Sequence, residues 1–249
     1  MPRRKSSNVI YDITGKILIR YLGSTASSFT VPDGVTEIAD RAFAECRKLK
    51  SIKMSDSVAS IGNGAFYHCS GLEVIKLSSN IKTIGENAFS HCLALKTIKL
   101  PEGLTELSDC LFHKCRSLTS VKVPDSVKKI GNATFCDCKS LKTVKLSDNI
   151  SSIGLCAFEN CVSLQNINMP ANVAKIEISA FLNCSSLDAV KIPDNMTKIN
   201  SCVFDGCKSL RSVKMPSNIT EIGSRAFHGC KIAKSIKIPD TARVASDIF

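Results

Sequence analysis

Residues 138–160 read CKSLKTVKLSDNISSIGLCAFEN, and closely similar 23-residue stretches precede and follow them along the chain. A phenylalanine recurs at intervals of 23 residues, a cysteine follows it three residues later, and a leucine three after that as far as Leu210. A fixed period of this length is typical of solenoids, in which each repeat buries its hydrophobic face against the next. The phenylalanines are Phe43, Phe66, Phe89, Phe112, Phe135, Phe158, Phe181, Phe204 and Phe227, and the cysteines are Cys46, Cys69, Cys92, Cys115, Cys138, Cys161, Cys184, Cys207 and Cys230.

Each repeat contains an alternating triplet such as Val144-Lys145-Leu146, followed by a turn and a second apolar pair. On a strand, alternate side chains point to opposite faces, so the apolar residues are predicted to face inward and the middle residue to face solvent. A 23-residue repeat is too short for a pair of helices, which favours mostly extended chain. The sequence therefore predicts a β-rich solenoid of about nine coils, stacked about 4.8 Å apart in a parallel sheet, with the phenylalanine and cysteine columns in its core.

The two ends of the chain depart from the repeat. Residues 1–8 are predicted to be a disordered basic tail, and residues 9–38 a hairpin-like N-terminal cap and partial repeat, with its turn near residues 12–15. Residues 39–249 are predicted to form the solenoid and to end in a truncated repeat, so that 9–249 is one continuous domain. No apolar run approaches the roughly 18 residues of a membrane-spanning helix, and no signal peptide is recognisable.

The composition favours binding over chemistry. The chain has a net charge of +11, no tryptophan and only four histidines. Stacking on bases needs aromatic side chains, and acid–base and metal sites rely heavily on histidine. No phosphate-binding loop or dinucleotide-binding glycine pattern is present. The sequence therefore predicts no enzyme, no metal site and no cofactor.

The thirteen cysteines are predicted to be free thiols. Parallel coils in register place equivalent Cβ atoms about 4.8 Å apart, beyond the range of about 3.5–4.5 Å that a disulfide needs. Cys110, Cys156 and Cys202 share a second repeat position, two residues before phenylalanine, in alternate coils. Cys136 has no counterpart, and an exposed, reactive thiol is the alternative to a core residue there. Unpaired cysteines in such number indicate a reducing cytosol or an anaerobic habitat.

A lysine occupies the middle of the triplet in eight of nine repeats, and Asn168 interrupts the series. Like charges opposite one another on neighbouring strands are destabilising, so this regularity needs an explanation. Two remain open: the lysines keep the sheet soluble, or they form a binding stripe for a sulfated glycan, an anionic cell surface or an acidic protein face. The stripe consists of Lys53, Lys76, Lys99, Lys122, Lys145, Lys191, Lys214 and Lys237, and a flanking row three positions earlier consists of Lys50, Lys96, Lys142, Arg211 and Lys234.

The repeat C-x-x-L-x-x-I-x-I-P-x-x-V-x-x-I-G-x-x-A-F-x-x, entered here through TVPDGVTEIADRAF at residues 30–43, resembles the BspA-like leucine-rich repeats. The resemblance covers roughly residues 10–249. It implies a leucine-rich-repeat fold and a kinship with adhesin-like proteins on the surfaces of anaerobic bacteria and some protozoan parasites. The family has no catalytic residues to carry over, so the resemblance implies binding.

Together these observations predict a non-enzymatic protein-binding module, adhesin-like at a cell surface, whose partner is a protein or an anionic glycan. Two alternatives remain. The free thiols and the missing signal peptide favour an intracellular interaction scaffold. The charge alone favours nucleic-acid binding, which the shortage of aromatic residues on the stripe disfavours. The localisation is therefore open between the cell surface or exterior and the cytoplasm.

Overall fold

The computed structural model describes residues 3–6, 8–23, 25–232 and 236–249. It is a β-solenoid of about ten turns with parallel sheets. No helix occurs in these described residues. The predicted solenoid and its hairpin-like cap are confirmed, with a number of turns close to the nine predicted.

The chain is built from short strands, most of them two or three residues long. In order, the strands of the described residues are β1 (Arg3–Ser6), β2 (Val9–Asp12), β3 (Ile17–Tyr21), β4 (Ser28–Thr30), β5 (Glu37–Ile38), β6 (Ser51–Lys53), β7 (Ser60–Ile61), β8 (Val74–Lys76), β9 (Thr83–Ile84), β10 (Glu106–Leu107), β11 (Ser120–Lys122), β12 (Lys129–Ile130), β13 (Thr143–Lys145), β14 (Ser152–Ile153), β15 (Lys175–Ile176), β16 (Ala189–Lys191), β17 (Lys198–Ile199), β18 (Ser212–Lys214), β19 (Glu221–Ile222) and β20 (Arg243–Val244).

These strands form two ladders along the solenoid. The first ladder consists of the three-residue strands, most of which contain the first two residues of a triplet. They pair as β4-β6-β8, β11-β13 and β16-β18. The second ladder consists of the two-residue strands, which pair as β5-β7-β9, β10-β12-β14-β15 and β17-β19-β20. Successive strands are offset by one repeat, as where Ile52 lies opposite Ile75. Each column in the sequence is therefore a column in space.

The third side of each coil, around the phenylalanine, is a series of turns and differs from the extended chain predicted there. Two residues of each coil take the left-handed backbone conformation, for example Ala133 (φ 50°) and Asp137 (φ 60°). With this backbone conformation, the N–H groups of Ala133, Phe135 and Asp137 donate hydrogen bonds of 2.7–2.8 Å to carbonyls of the next coil. The turns thus bend the chain and still bond the coils to one another.

The phenylalanine column is the centre of the core. All nine side chains are fully buried. Neighbouring rings from Phe43 to Phe227 stack with centroids 5.0–5.7 Å apart. This is the offset-stacked range in which aromatic pairs attract each other beyond their buried area.

The cysteine column lies beside the phenylalanines and makes a repeated hydrogen bond. The thiol of Cys138 donates to the carbonyl of Phe112 in the preceding coil at 3.1 Å, and that of Cys161 donates to Phe135 at 3.1 Å. Burial raises the pKa of Cys138 and Cys161 well above the ordinary value, so both remain protonated donors. All thirteen cysteines are free.

The second ladder is extended by the backbone N–H of the residue that follows each strand. This N–H donates to the preceding coil from glycine, as from Gly131 to Leu107 at 2.8 Å, and equally from Ala39, Glu177 and Ala245. Ser108 and Asn200 stand at the same position, and there the side chain reaches the preceding coil instead, bonding to the carbonyls of Ile84 and Ile176. The ladder is interrupted at both places, between β9 and β10 and between β15 and β17.

The first ladder is weakened between the same coils. Its sheet ends at β8, and residues 166–168 reach β16 only through an isolated bridge between Asn166 and Ala189. Isolated bridges also join Thr97 to Ser120 and Thr143 to Asn166, where the second ladder continues. Where both ladders are weakened, the turns still connect the coils, as in the 3.0 Å bond from Phe89 N–H to the Leu111 carbonyl. We name these places the first seam, between residues 74–84 and 97–107, and the second seam, between residues 166–176 and 189–199.

The N-terminal end of the solenoid is covered by antiparallel strands. β2 and β3 form the hairpin, whose turn is closed by a 3.1 Å bond from Gly15 N–H to the Asp12 carbonyl. Residues 1–8 were predicted to be a disordered tail, but within them β1 pairs with β2 from Arg3 opposite Asp12 to Ser6 opposite Val9. The open edge of β2 offers backbone groups that a further strand can pair with, which explains this difference.

At the other end, β20 adds to the second ladder and Phe249 extends the phenylalanine column. The Phe249 ring lies 6.5 Å from that of Phe227 and is 44% exposed. Ala233, where leucine is missing from the repeat, and Lys234 of the flanking row lie outside the described residues. No helix in the described part of the chain is long and apolar enough to cross a membrane.

One buried charge near the C-terminal end is paired. Asp205 is 7% exposed and accepts a 2.8 Å hydrogen bond from Arg225 Nε, and His228 Nδ1 lies 3.0 Å from its other oxygen. Burial alone would raise the pKa of Asp205, but the contacts with Arg225 and His228 outweigh it and lower the pKa. The ionised form is therefore favoured by folding.

Because the pKa of Asp205 is lower in the folded state, its stabilising contribution exists above the unfolded value and is lost as pH falls through the folded value. We expect Asp205→Asn to lower the free energy of unfolding at pH 7 by about 1–3 kcal/mol, as for hydrogen bonds to charged groups. The difference from wild type should shrink at about pH 3. Urea unfolding at both pH values measures it, with the exposed Asp240→Asn as control; an equal difference at both would contradict the assignment.

Candidate binding surface

The lysine stripe lies on the outer face of the first ladder. All eight of its lysines are exposed, whereas the residues before them in the triplet are mostly buried. Lys53 lies directly opposite Lys76, Lys122 opposite Lys145, and Lys191 opposite Lys214. The strand spacing of about 4.8 Å makes this a closely spaced row of positive charges.

Acidic residues neutralise parts of this surface. Glu73 lies between Lys50 and Lys96 of the flanking row, 4.0 and 3.9 Å from their amines. Glu102 lies 3.8 Å from Lys122 of the stripe. These ion pairs are exposed to solvent, so each stabilises the protein by at most about 1 kcal/mol. A partner carrying several anionic groups in a row can displace them.

The first seam opens into a groove of about 640 Å³ within the stripe. Lys76 and Lys99 stand on its two sides, and Val74 and Leu77 contribute apolar surface, with Val74 56% exposed. Between four pairs of coils in the described part of the chain, the first ladder is closed by a bond such as that from Met54 N–H to the Lys76 carbonyl at 2.9 Å. The equivalent bond from Leu77 to Lys99 is not formed. The groove therefore combines positive charge, apolar side chains and an unpaired backbone N–H.

The sequence contains a partial signal for this groove. Val123 and Ile192 occupy the position of Leu77 in coils where the bond is formed. β-Branched side chains favour extended backbone, whereas leucine at 77 and 100 favours it less. Met54 is an exception, because it forms the bond without a branch.

A second polar surface runs along the turns. The rings of His68 and His91 stack with centroids 4.1 Å apart, and His91 meets His113 edge-on at 5.3 Å. Burial, followed by the charge of His68, lowers the pKa of His91 to about 4, so this imidazole is neutral at pH 7. Both His68 and His91 have left-handed backbone, which departs from the mostly extended chain predicted for the repeat.

The alternative of an exposed and reactive Cys136 is also wrong. Cys136 is 9% exposed, and burial together with Glu159 and Asp137 raises its pKa to about 12. A thiol with that pKa is almost entirely protonated at pH 7 and is a poor nucleophile.

Comparison with known families decides the classification. The family model described as BspA type leucine rich repeat region matches residues 21–142 and 128–249, in six copies. This chain belongs to the BspA-type leucine-rich-repeat family. No curated protein matches it.

Solved structures extend the comparison. A leucine rich cell surface protein from Faecalibacterium prausnitzii is 25% identical, with a TM-score of 0.72, over 100% of this chain and 86% of that one. A leucine rich repeat protein from T. pallidum is 24% identical, with a TM-score of 0.47, over 97% and 95% of the two chains. The pneumococcal vaccine antigen PcpA is 19% identical, with a TM-score of 0.42, over 94% and 76%. The TM-scores of the last two structures are below 0.5, so no inference is drawn from them.

The BspA-type fold explains how the stripe is arranged. Because each repeat contributes one triplet, the exposed middle position recurs at the strand spacing. A residue type that is preferred at that position therefore forms a row. Leucine-rich-repeat solenoids are scaffolds of this kind, which is consistent with binding as the general role of the chain.

Proposed function

We propose that this BspA-type protein is a non-enzymatic binding module that recognises an acidic protein face or an anionic glycan along its lysine stripe. The observation that carries the proposal is the row of exposed lysines held directly opposite one another on β6 and β8, β11 and β13, and β16 and β18. Such a row costs stability through repulsion between like charges. A partner with regularly spaced anionic groups relieves that repulsion on binding.

The stripe and the groove would make different contributions. A long row of one sign attracts an oppositely charged partner from a distance and raises the association rate, and salt screens this effect. The groove between Lys76 and Lys99 supplies the desolvated apolar contact around Val74 and Leu77 that such a complex needs to last. Charge thus guides the partner, and the groove retains it.

The proposal places the protein at a cell surface as an adhesin-like receptor. Support comes from the Faecalibacterium prausnitzii structure, which is named a cell surface protein and covers the whole of this chain. An intracellular interaction scaffold is the second candidate, because all thirteen cysteines are free thiols and such numbers are typical of reducing compartments. Both candidates use the same surface, so partner identification separates them.

The test is charge reversal on the stripe. We expect the triple variant Lys76→Glu, Lys99→Glu, Lys122→Glu to fold as wild type, because all three side chains are exposed. Its affinity for an acidic partner should fall at least tenfold, or about 1.4 kcal/mol. Immobilised sulfated glycans, acidic matrix proteins and DNA, each probed at low and high salt, provide the readout.

The matched control is the triple variant Lys82→Glu, Lys128→Glu, Lys129→Glu, which changes the net charge equally at exposed positions off the stripe. If both triples lose binding equally, net charge alone is responsible. If neither changes binding, the stripe serves solubility only. Retention of DNA above the glycans and proteins would favour nucleic-acid binding instead.

A further inference from the structure

Three consecutive coils carry metal-ligating side chains at one repeat position. His113, Cys136 and Glu159 each follow the phenylalanine of their coil directly, and Asp137 is the next residue after Cys136. Because the coils are in register, residues at one position lie in a column with the strand spacing of about 4.8 Å. The solenoid therefore gathers residues that are far apart in sequence into one cluster on the side of the turns.

The cluster is compact. A ring nitrogen of His113, the sulfur of Cys136 and a carboxylate oxygen of Asp137 all lie within 4.8 Å of one another. Within the described ranges it is the one group of three potential ligands that meets this distance. Cys136 is buried, and the other two are half-buried.

The backbone holds these residues in place. Asp137 has left-handed backbone, and its N–H donates to the Glu159 carbonyl at 2.8 Å. The carbonyl of Cys136 accepts a 2.8 Å bond from Lys114 N–H. Ligand-bearing residues fixed by bonds to the coils on both sides lose little further backbone freedom when they bind an ion.

We propose that His113, Cys136 and Asp137 form a binding site for Zn²⁺. Imidazole, thiolate and carboxylate are the three ligand types that zinc uses in proteins. Tetrahedral zinc with bonds of about 2.0–2.3 Å needs donor atoms about 3.3–3.6 Å apart, so the side chains must close by up to about 1.5 Å through rotation. The thiol proton of Cys136 is released to solvent on binding, and the thiolate and the Asp137 carboxylate neutralise the ion.

The fourth ligand is water or Glu159. The Glu159 carboxylate acts electrostatically on Cys136 and His113 and accepts a hydrogen bond from the thiol of Cys156. It therefore lies beside the cluster and can turn toward an ion. The ligand set combines soft and hard donors, which favours zinc over calcium or magnesium.

The other histidines show why this site is specific. His228 occupies the same repeat position as His113, but there Arg225 already supplies the positive charge beside Asp205. His68 and His91 stack on one another and meet the ring of Tyr67 edge-on. A thiol and a carboxylate converge on histidine only at His113, within the part of the chain that the structure describes.

The test is metal titration of the purified full chain after removal of metals with a chelator. We expect one Co²⁺ per chain to produce the sulfur-to-cobalt charge-transfer absorption, and Zn²⁺ to displace it and to raise the melting temperature. Cys136→Ser should abolish the charge-transfer band, and His113→Asn should weaken Zn²⁺ binding at least about tenfold. Cys202→Ser, a half-buried thiol at another position, should change neither.

Circular dichroism and melting without metal verify that each variant is folded. A variant that does not fold is replaced by Asp137→Asn, which keeps the size of the side chain. The proposal is overturned if wild type gives no charge-transfer band, if the band persists in Cys136→Ser, or if Cys202→Ser loses as much affinity as the ligand variants.

Discussion

Replacing Phe135 with alanine should lower the free energy of unfolding by about 3–5 kcal/mol, the range for a fully buried aromatic residue. Phe135 is 0% exposed, and its ring stacks between those of Phe112 and Phe158 at 5.5 and 5.2 Å. The substitution removes both contacts and leaves a cavity in the middle of the array. Since solenoid stability is a sum of neighbour contacts, unfolding should also become less cooperative.

Denaturant unfolding followed by circular dichroism measures this effect, with Phe249→Ala as the control. Phe249 belongs to the same column but is 44% exposed and lies 6.5 Å from its one ring neighbour, Phe227. We expect the control to cost about 1 kcal/mol or less. Similar losses from both variants would mean that the column does not form a continuous core.

Replacing Gly131 with valine is expected to cost about 1–3 kcal/mol through overpacking. A Cβ atom at this position would lie 2.7 Å from the Leu107 carbonyl oxygen and 2.8 Å from Asp109 N. Both are backbone atoms of the preceding coil and cannot move aside as a side chain would. The valine variant should therefore lengthen the 2.8 Å bond from residue 131 to Leu107.

The control substitution is Ser108→Gly, at the same position where the second ladder is already interrupted. Glycine there can donate its own N–H to Ile84 in place of the serine hydroxyl, so stability should change by less than about 1 kcal/mol. Hydrogen exchange at Gly131 and its neighbours, with melting temperature, distinguishes the two variants. A valine variant as stable as wild type would show that the coils can separate without loss.

The period of 23 residues was sufficient to predict the solenoid, because each column of identical residues has only one way to be buried. The phenylalanine rings and the alternation of the triplets follow from that periodicity. The left-handed residues at the turns could not be predicted in the same way. Positions such as Ala133 and Asp137 are occupied by ordinary residues, and the need for φ above zero arises from bonding to the next coil.

The exposure of the lysine stripe was likewise predictable, since the middle of a buried triplet must face outward. The groove was not, because it lies where β8 has no strand partner on the side of residues 97–99, and the triplet residue does not dictate that gap: Leu77 and Leu100 both lack the bond that Val123 forms. The proposed zinc ligands were missed because they do not form a column of one residue type: the residue after the phenylalanine varies from coil to coil, and only histidine occurs there twice, at His113 and His228. Aligning the residue after each phenylalanine would have shown His113, Cys136 and Glu159 in succession.

The two seams have a mechanical consequence. They divide the solenoid into three blocks, each held by an uninterrupted second ladder. Where the blocks meet this ladder is broken, and the first ladder is broken at the first seam and reduced to the bridge between Asn166 and Ala189 at the second. A pulling force along the axis would be borne there mainly by the turns, so extension should begin at these joints while the blocks remain folded. A protein tethered at one end and loaded at the other would then lengthen in steps, and the lysines within each block would keep their spacing throughout.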